Sequence, residues 1–170
     1  VFEAALRDGP FDQPCHRLVA RIGINGRHGF VQCLGRAFEQ LAARLVAQFN
    51  GYNPLPNMPI NGALTLGENI ADISGLAVAL KAYQLSLAAQ PAPVIDGFSG
   101  EQRFFLGWSQ VWRRNYREQE LRTRLVTDAH APSQYRVNGV VCHLPEFHQQ
   151  FAVKPGDGMY LPPEQRLKIW

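Results

Sequence analysis

The sequence predicts a mainly α domain with long loops, on three observations. Apolar residues recur three and four apart in three separate segments, clusters of Asn, Gly and Pro close the first two, and the last forty or so residues are loop-rich. At 170 residues and 46% hydrophobic, the chain is long enough for one sizeable core. Each element can be justified in order. Residues 1 to about 35 show no sustained period, and no element is assigned there. From Ala37 the pattern changes: Phe38, Leu41, Ala42, Leu45, Val46 and Phe49 follow helical spacing, and "NGYNPLPNMP" stops the helix. A second helix runs from about Leu66 to Ala89, with Ile70, Ile73, Leu76, Ala77, Leu80 and Tyr83 on its apolar face. A third begins near Gly100. Its stripe of Phe104, Phe105, Trp108, Val111, Trp112 and Tyr116 reads as core and extends the helix to Tyr116. Shorter helices are expected over about Arg117 to Thr127 and Pro145 to Phe151, with "DAHAPSQYRVNG" between them as loop.

Charge and cysteine usage exclude several classes. The net charge of +3 argues against a nucleic-acid footprint. Arg103, Arg113, Arg114, Arg117, Arg122 and Arg124 do cluster, but Glu101, Glu118 and Glu120 interleave them, as on a solvated helix face. Cys15, Cys33 and Cys142 have neither zinc-knuckle nor disulfide-framework spacing. No apolar run approaches the roughly 20 residues that span a bilayer. The opening "VFEAALRDGPFDQPCHR" does not read as a signal peptide, and without an initiator Met the chain is expected to be a piece of something longer.

One segment raises a chemical question. In "NGALTLGENIADISGLAVALKAY", Glu68 and Asp72 sit four apart, so they project from one helix face. Like charges at that spacing disfavour a helix by a few tenths of a kcal/mol, unless a cation or donor lies between them. Taken alone, the pair is better explained by stabilisation of the helix N-terminus through its dipole, and is weak evidence for a metal.

The wider sequence adds a second account. "NGALTLGENIAD" resembles the ExxxD segment of the neprilysin and endothelin-converting-enzyme family of zinc metallopeptidases, of bacterial type. "FFLGWSQVWRRNY" resembles that family's FF…AQ.W helix, "TDAHAPSQYRVNG" its D.H.P…R.NG loop, and "KPGDGMYLPPEQRLKIW" its closing segment. The matches keep the family's order over roughly Phe38 to Trp170. The resemblance implies the helical C-terminal portion of a thermolysin-like (zincin) catalytic domain, spanning 36–170, with 1–35 a divergent or frame-shifted leader. It implies that Glu68 is the third zinc ligand, a hard oxygen donor. Asp72 would be the acid that steadies a zinc-bound histidine. His130 would stabilise the oxyanion formed on the scissile carbonyl. Arg136 would bind substrate, including a free C-terminal carboxylate. Asp128 could orient His130.

One expected motif is missing. Family catalysis needs H-E-x-x-H, in which two histidines one turn apart bind zinc and the glutamate is the general base. The five histidines are His16, His28, His130, His143 and His148; no two are four apart, and none precedes a glutamate. Cys142, His143 and His148, or Cys15, His28 and Cys33, do not have the spacing of a replacement site. The resemblance therefore implies part of a zinc-dependent metalloendopeptidase, which hydrolyses peptide bonds with a zinc-activated water. This chain, lacking HExxH, is expected neither to retain zinc nor to act alone. The alternatives are a non-catalytic peptide-binding module and a non-functional remnant of a peptidase gene. Expected partners are peptide substrates and the missing N-terminal part of the peptidase, in the periplasm or secreted. Residues 1–35 are either read in a shifted frame or are a true replacement. The first account predicts an HExxH in another reading frame of the coding DNA upstream of Phe38; its absence from every frame rejects that account.

Overall fold

The computed structural model divides the chain into two compact units, Val1–Arg44 and Leu45–Trp170. It describes residues 27–88 and 90–168, with side chains from Gly35 onward. Most of the 1–35 leader lies outside the described residues, as do the side chains of Cys15, His16, His28 and Cys33. The first helix, α1, covers Arg27–Asn50 and so begins well before the predicted Ala37. Gly29 and Gly35 interrupt the apolar period there, which hides the helix from the pattern. Each glycine costs only about 1 kcal/mol relative to alanine, and a helix once nucleated extends through such positions. Within the first unit Phe38 is 52% exposed, so the predicted stripe is not buried at its start.

The second unit carries the remaining helices: α2 Leu66–Ser86, α3 Gly100–Val111, α4 Glu118–Thr127, α5 Ser133–Val141 and α6 Pro145–Gln150, then a 3-10 turn at Pro163–Gln165. Among the described residues there is no strand; two isolated bridges, Leu55 with Met58 and Ile95 with Phe98, close tight turns. At the second, Asp96 (φ 51°) and Gly97 (φ 80°) both adopt left-handed backbone, the requirement of a two-residue reversal. Two expectations need correction. The third helix stops at Val111 rather than Tyr116, because the chain turns at Trp112 and the Arg113 amide bonds back to the Gln110 carbonyl. The "SQYRVNGVV" stretch, expected to be loop, is helix α5. Its three valines and one glycine are weak helix formers, and packing against α2 and α3 overrides that propensity.

The core is built where these helices meet. Leu45 and Phe49 from α1, Ile73, Leu76 and Leu80 from α2, Phe105 from α3, Val140 and Val141 from α5, and Phe147 from α6 are all buried. Phe105 sits edge-on to Phe147 at 5.6 Å and to Phe151 at 6.2 Å, which docks α6 on α3. A polar cluster secures the same junction. Ser99 caps α3 in a capping box with Gln102, and Gln102 Nε2 donates to the Gln150 carbonyl at 2.8 Å. At the other end, Gln48 Oε1 accepts from His143 Nε2 at 2.7 Å, while His143 Nδ1 accepts the Leu167 amide at 3.0 Å. Gln48 also reaches Cys142, whose thiol burial pushes up to about 11.

Two of the four Asn-Gly pairs of the sequence, Asn61-Gly62 and Asn138-Gly139, mark close approaches. A Cβ on Gly62 would lie 2.3 Å from the Val46 carbonyl oxygen, and one on Gly139 would lie 2.9 Å from Phe49 Cζ. By contrast, a Cβ on Gly107 in α3 would meet nothing within 4 Å. Gly139→Ala should therefore cost on the order of 1–2 kcal/mol through overpacking, whereas Gly107→Ala should stabilise by up to about 1 kcal/mol. Urea unfolding of the two variants checks the opposite signs; equal stability would remove the packing argument for Gly139.

Candidate active site

The site begins with the head of α2. Its N-terminus is held by local polar contacts: the Leu64 amide donates to Asn61 Oδ1, and Thr65 Oγ1 accepts from Asn69 Nδ2 at 2.9 Å. That fixes the first turn, and with it the face that carries Glu68 and Asp72. Helix α5, packed against α2, brings Arg136 to the same face. Arg136 Nε donates to Asp72 Oδ2 at 2.6 Å and Nη2 donates to Oδ1 at 2.7 Å, a two-point fork with side chains only 11% and 7% exposed. Arg136 Nη2 also lies 3.5 Å from Glu68 Oε2. The guanidinium is thus the cation that the sequence pattern required between two acids four residues apart.

His130 completes the cluster from the loop between α4 and α5. Its ring Nε2 is 3.1 Å from Glu68 Oε2 and its Nδ1 is 2.7 Å from Asp128 Oδ1. The His130 backbone amide donates to the same Asp128 oxygen at 3.0 Å, so Asp128 fixes both the turn and the ring. Arg124 Nη1 holds the other Asp128 oxygen at 2.7 Å. These contacts keep the Asp128 carboxyl below its ordinary range. The His130 amide is the largest cause, the imidazole and Arg124 add to it, and partial burial opposes it. Both His130 ring nitrogens face carboxylate oxygens.

Two aromatic residues, predicted as core, belong to this site instead. The Arg136 guanidinium lies 4.0 Å from the centre of the Trp112 ring, and Trp108 Nε1 donates to the Arg136 carbonyl at 3.2 Å. Trp112 thus supports the guanidinium while Trp108 holds its backbone. In the sequence the pair reads as part of an apolar stripe, and nothing in the spacing separates a ring facing the core from one facing a cation. All five predicted site residues, Glu68, Asp72, Asp128, His130 and Arg136, form one connected network. Arg136 projects from helix α5 rather than from the predicted loop.

Among the described residues, no group of three His, Cys, Asp or Glu side chains could hold an ion. Asp72 has both oxygens committed to Arg136. Glu68 is a rim carboxylate, 40% exposed, with both of its ionic contacts on Oε2. It has the chemistry of a single oxygen donor, and one donor does not make a zinc site. His143 and His148 are occupied elsewhere: His148 Nε2 donates to the Cys142 carbonyl at 2.7 Å.

The helical fold is shared with part of a solved zinc metalloprotease. The family model described as "Peptidase family M13" matches residues 22–167. Endothelin-converting enzyme 1 of Mus musculus is 38% identical over 138 residues, covering 79% of this chain and 17% of that protein. The neutral endopeptidase of Lactococcus lactis is 37% identical over 134 residues, covering 79% of this chain and 20% of that protein. The crystal structure of the Mycobacterium tuberculosis zinc metalloprotease ZMP1 in complex with inhibitor superposes with a TM-score of 0.78 at 44% identity, covering 79% of this chain and 22% of that one. The chain belongs to peptidase family M13. It spans about a fifth of the length of these relatives.

Asp128 gives the site a defined acid limit. Its folded pKa is depressed, so its contribution is present above the unfolded value of about 3.9 and is lost as pH falls through the folded value. Carboxyl NMR titration should show Asp128 with a midpoint below about 3.9, accompanied by a shift of the His130 amide. A His130 amide that stays unchanged through the Asp128 midpoint would rule out the coupling.

Proposed function

We propose that this chain is the C-terminal part of a zinc-dependent metalloendopeptidase, to which it contributes one metal donor and the groups that hold the substrate. The observation that carries this reading is the network itself. Asp72 and Glu68 come from one stretch and Asp128, His130 and Arg136 from another far along the chain, and they link through contacts of 2.6 to 3.5 Å. When bound, zinc in this family supplies a Lewis acid that polarises a carbonyl and activates water; the residues described do not complete its site, so the roles below concern this chain's own side chains.

Glu68 is the candidate ligand, being exposed and lightly held. His130, oriented by Asp128, presents a ring N–H at the site rim, as needed beside a carbonyl oxygen that gains negative charge. Asp72 is the buried anion around which Arg136 is fixed. The Nε/Nη2 edge of Arg136 is engaged by Asp72, which leaves the two Nη1 hydrogens to donate to substrate oxygens. A location outside the cytoplasm is part of the same reading and rests on the family resemblance alone. No described helix is long and apolar enough to cross a membrane.

The purified 170-residue chain should contain well under one zinc per molecule and leave peptides uncut, yet bind peptides through Arg136. Metal analysis, a peptidase assay and calorimetric titration with Arg136→Ala check this together. One zinc per chain with peptidase activity would overturn the shared-site reading. Peptide binding that survives Arg136→Ala would remove the substrate role of Arg136.

A further inference from the structure

Beside the site lies a cleft of about 240 Å³ whose charge is unbalanced. Arg114, Arg124, Arg136 and His130 line it against one carboxylate, Asp128, with Trp112 as part of the wall. Two of the three arginines, and His130, already have acids. Arg136 is held by Asp72, and Arg124 and His130 share Asp128, while Arg124 also bonds Glu120 at 2.9 Å. Arg114 differs. Its guanidinium lies 5.6 Å from the Trp112 ring centre, and no acid pairs with it among the described residues. Trp112 itself has a buried Nε1–H that has no acceptor among the described residues. Along this wall, then, one guanidinium has no paired acid and one indole N–H has no acceptor among the described residues.

We propose that this side of the cleft is a carboxylate subsite, with Arg114 as its specificity-determining residue. The inference rests on the peptide-binding reading above and assigns the charged recognition to Arg114, not to Arg136. Arg136 already faces two carboxylates, Asp72 at its Nε/Nη2 edge and Glu68 at 3.5 Å from Nη2, so its charge is answered within the protein. Arg114 has its fork available and is exposed to solvent, where a substrate can reach it. Both guanidiniums lie close to one indole, 4.0 and 5.6 Å from its centre, so the two positions are within about three extended residues of each other. The carboxylate thus belongs to a peptide group a few residues beyond the one held at Arg136. It is either a free C-terminus or an acidic side chain.

Three probes separate these sources by calorimetric titration of the full chain at low salt: acetyl-Leu-Ala-Ala amide, the same peptide as the free acid, and acetyl-Leu-Ala-Glu amide. At least one acid should bind about tenfold more tightly than the neutral amide, as one charge-assisted hydrogen bond allows. Whichever acid gains identifies the source. Arg114→Gln should erase that gain, Arg114→Lys should keep part of it, and Arg136→Gln should weaken all three peptides together. Arg114 is a surface residue, and unchanged circular dichroism will show that its variants remain folded. Equal binding of all three peptides, or a gain that survives Arg114→Gln, overturns the subsite and leaves the Arg136 reading standing. Failure of the wild-type chain to bind any of them overturns both.

Discussion

The Asp72–Arg136 fork is the interaction on which the site depends. Asp72 is on α2 and Arg136 is on α5, the pair of helices packed most closely in the second unit. Two charges this well buried hold their place only as partners. Removing one leaves the other uncompensated, typically at a cost of about 3–5 kcal/mol. The fork therefore fixes the register of α5 on α2 more tightly than apolar packing would. Everything else at the site is referred to it: Trp112 lies against the guanidinium, Trp108 anchors the Arg136 backbone, and Glu68 shares the same Nη2.

Helix geometry then distributes the two acids to different tasks. Four residues apart on α2, they share a face, but Asp72 is one turn deeper in the fold and is buried while Glu68 stays at the rim. The guanidinium between them relieves their repulsion. Near the N-terminus of α2 the helix dipole also favours Glu68, so the bland reading of that residue and the functional one do not compete. Asp72 is needed for the fold and Glu68 is free for chemistry.

Much of this was legible in the sequence, though unevenly. The three- and four-residue spacing located α2 and the start of α3, because those helices bury one stripe against their neighbours. It missed the first turns of α1, where Gly29 and Gly35 interrupt the stripe, and it missed α5 entirely. In α5 the decisive fact is tertiary: Gly139 lets Phe49 approach, and that contact cannot be read from local propensity. The residues Asp128, His130 and Arg136 were found only by resemblance, since a histidine in a loop and a lone arginine carry no local signal. The roles of Trp108 and Trp112 stayed hidden for a related reason. Phe105 and Trp112 belong to one apolar pattern, yet Phe105 is buried in the core while Trp112 lies against a guanidinium.

The lengths of the contacts show which part of the network can change. Asp72 is held at 2.6 and 2.7 Å by Arg136, and Asp128 at 2.7 Å by both Arg124 and His130, so both are tightly committed. Glu68 is held at 3.1 Å by His130 and at 3.5 Å by Arg136, on one oxygen only, in a part-exposed position where such contacts contribute little. Freeing Glu68 thus breaks the weakest links and leaves the frame intact. His130 would remain oriented by Asp128, and Arg136 would remain forked on Asp72. A donor meant for an outside partner, whether a metal ion or a side chain from another segment, is best placed where its release does not disturb the groups around it. Of the three acids in the network, Glu68 alone meets that condition.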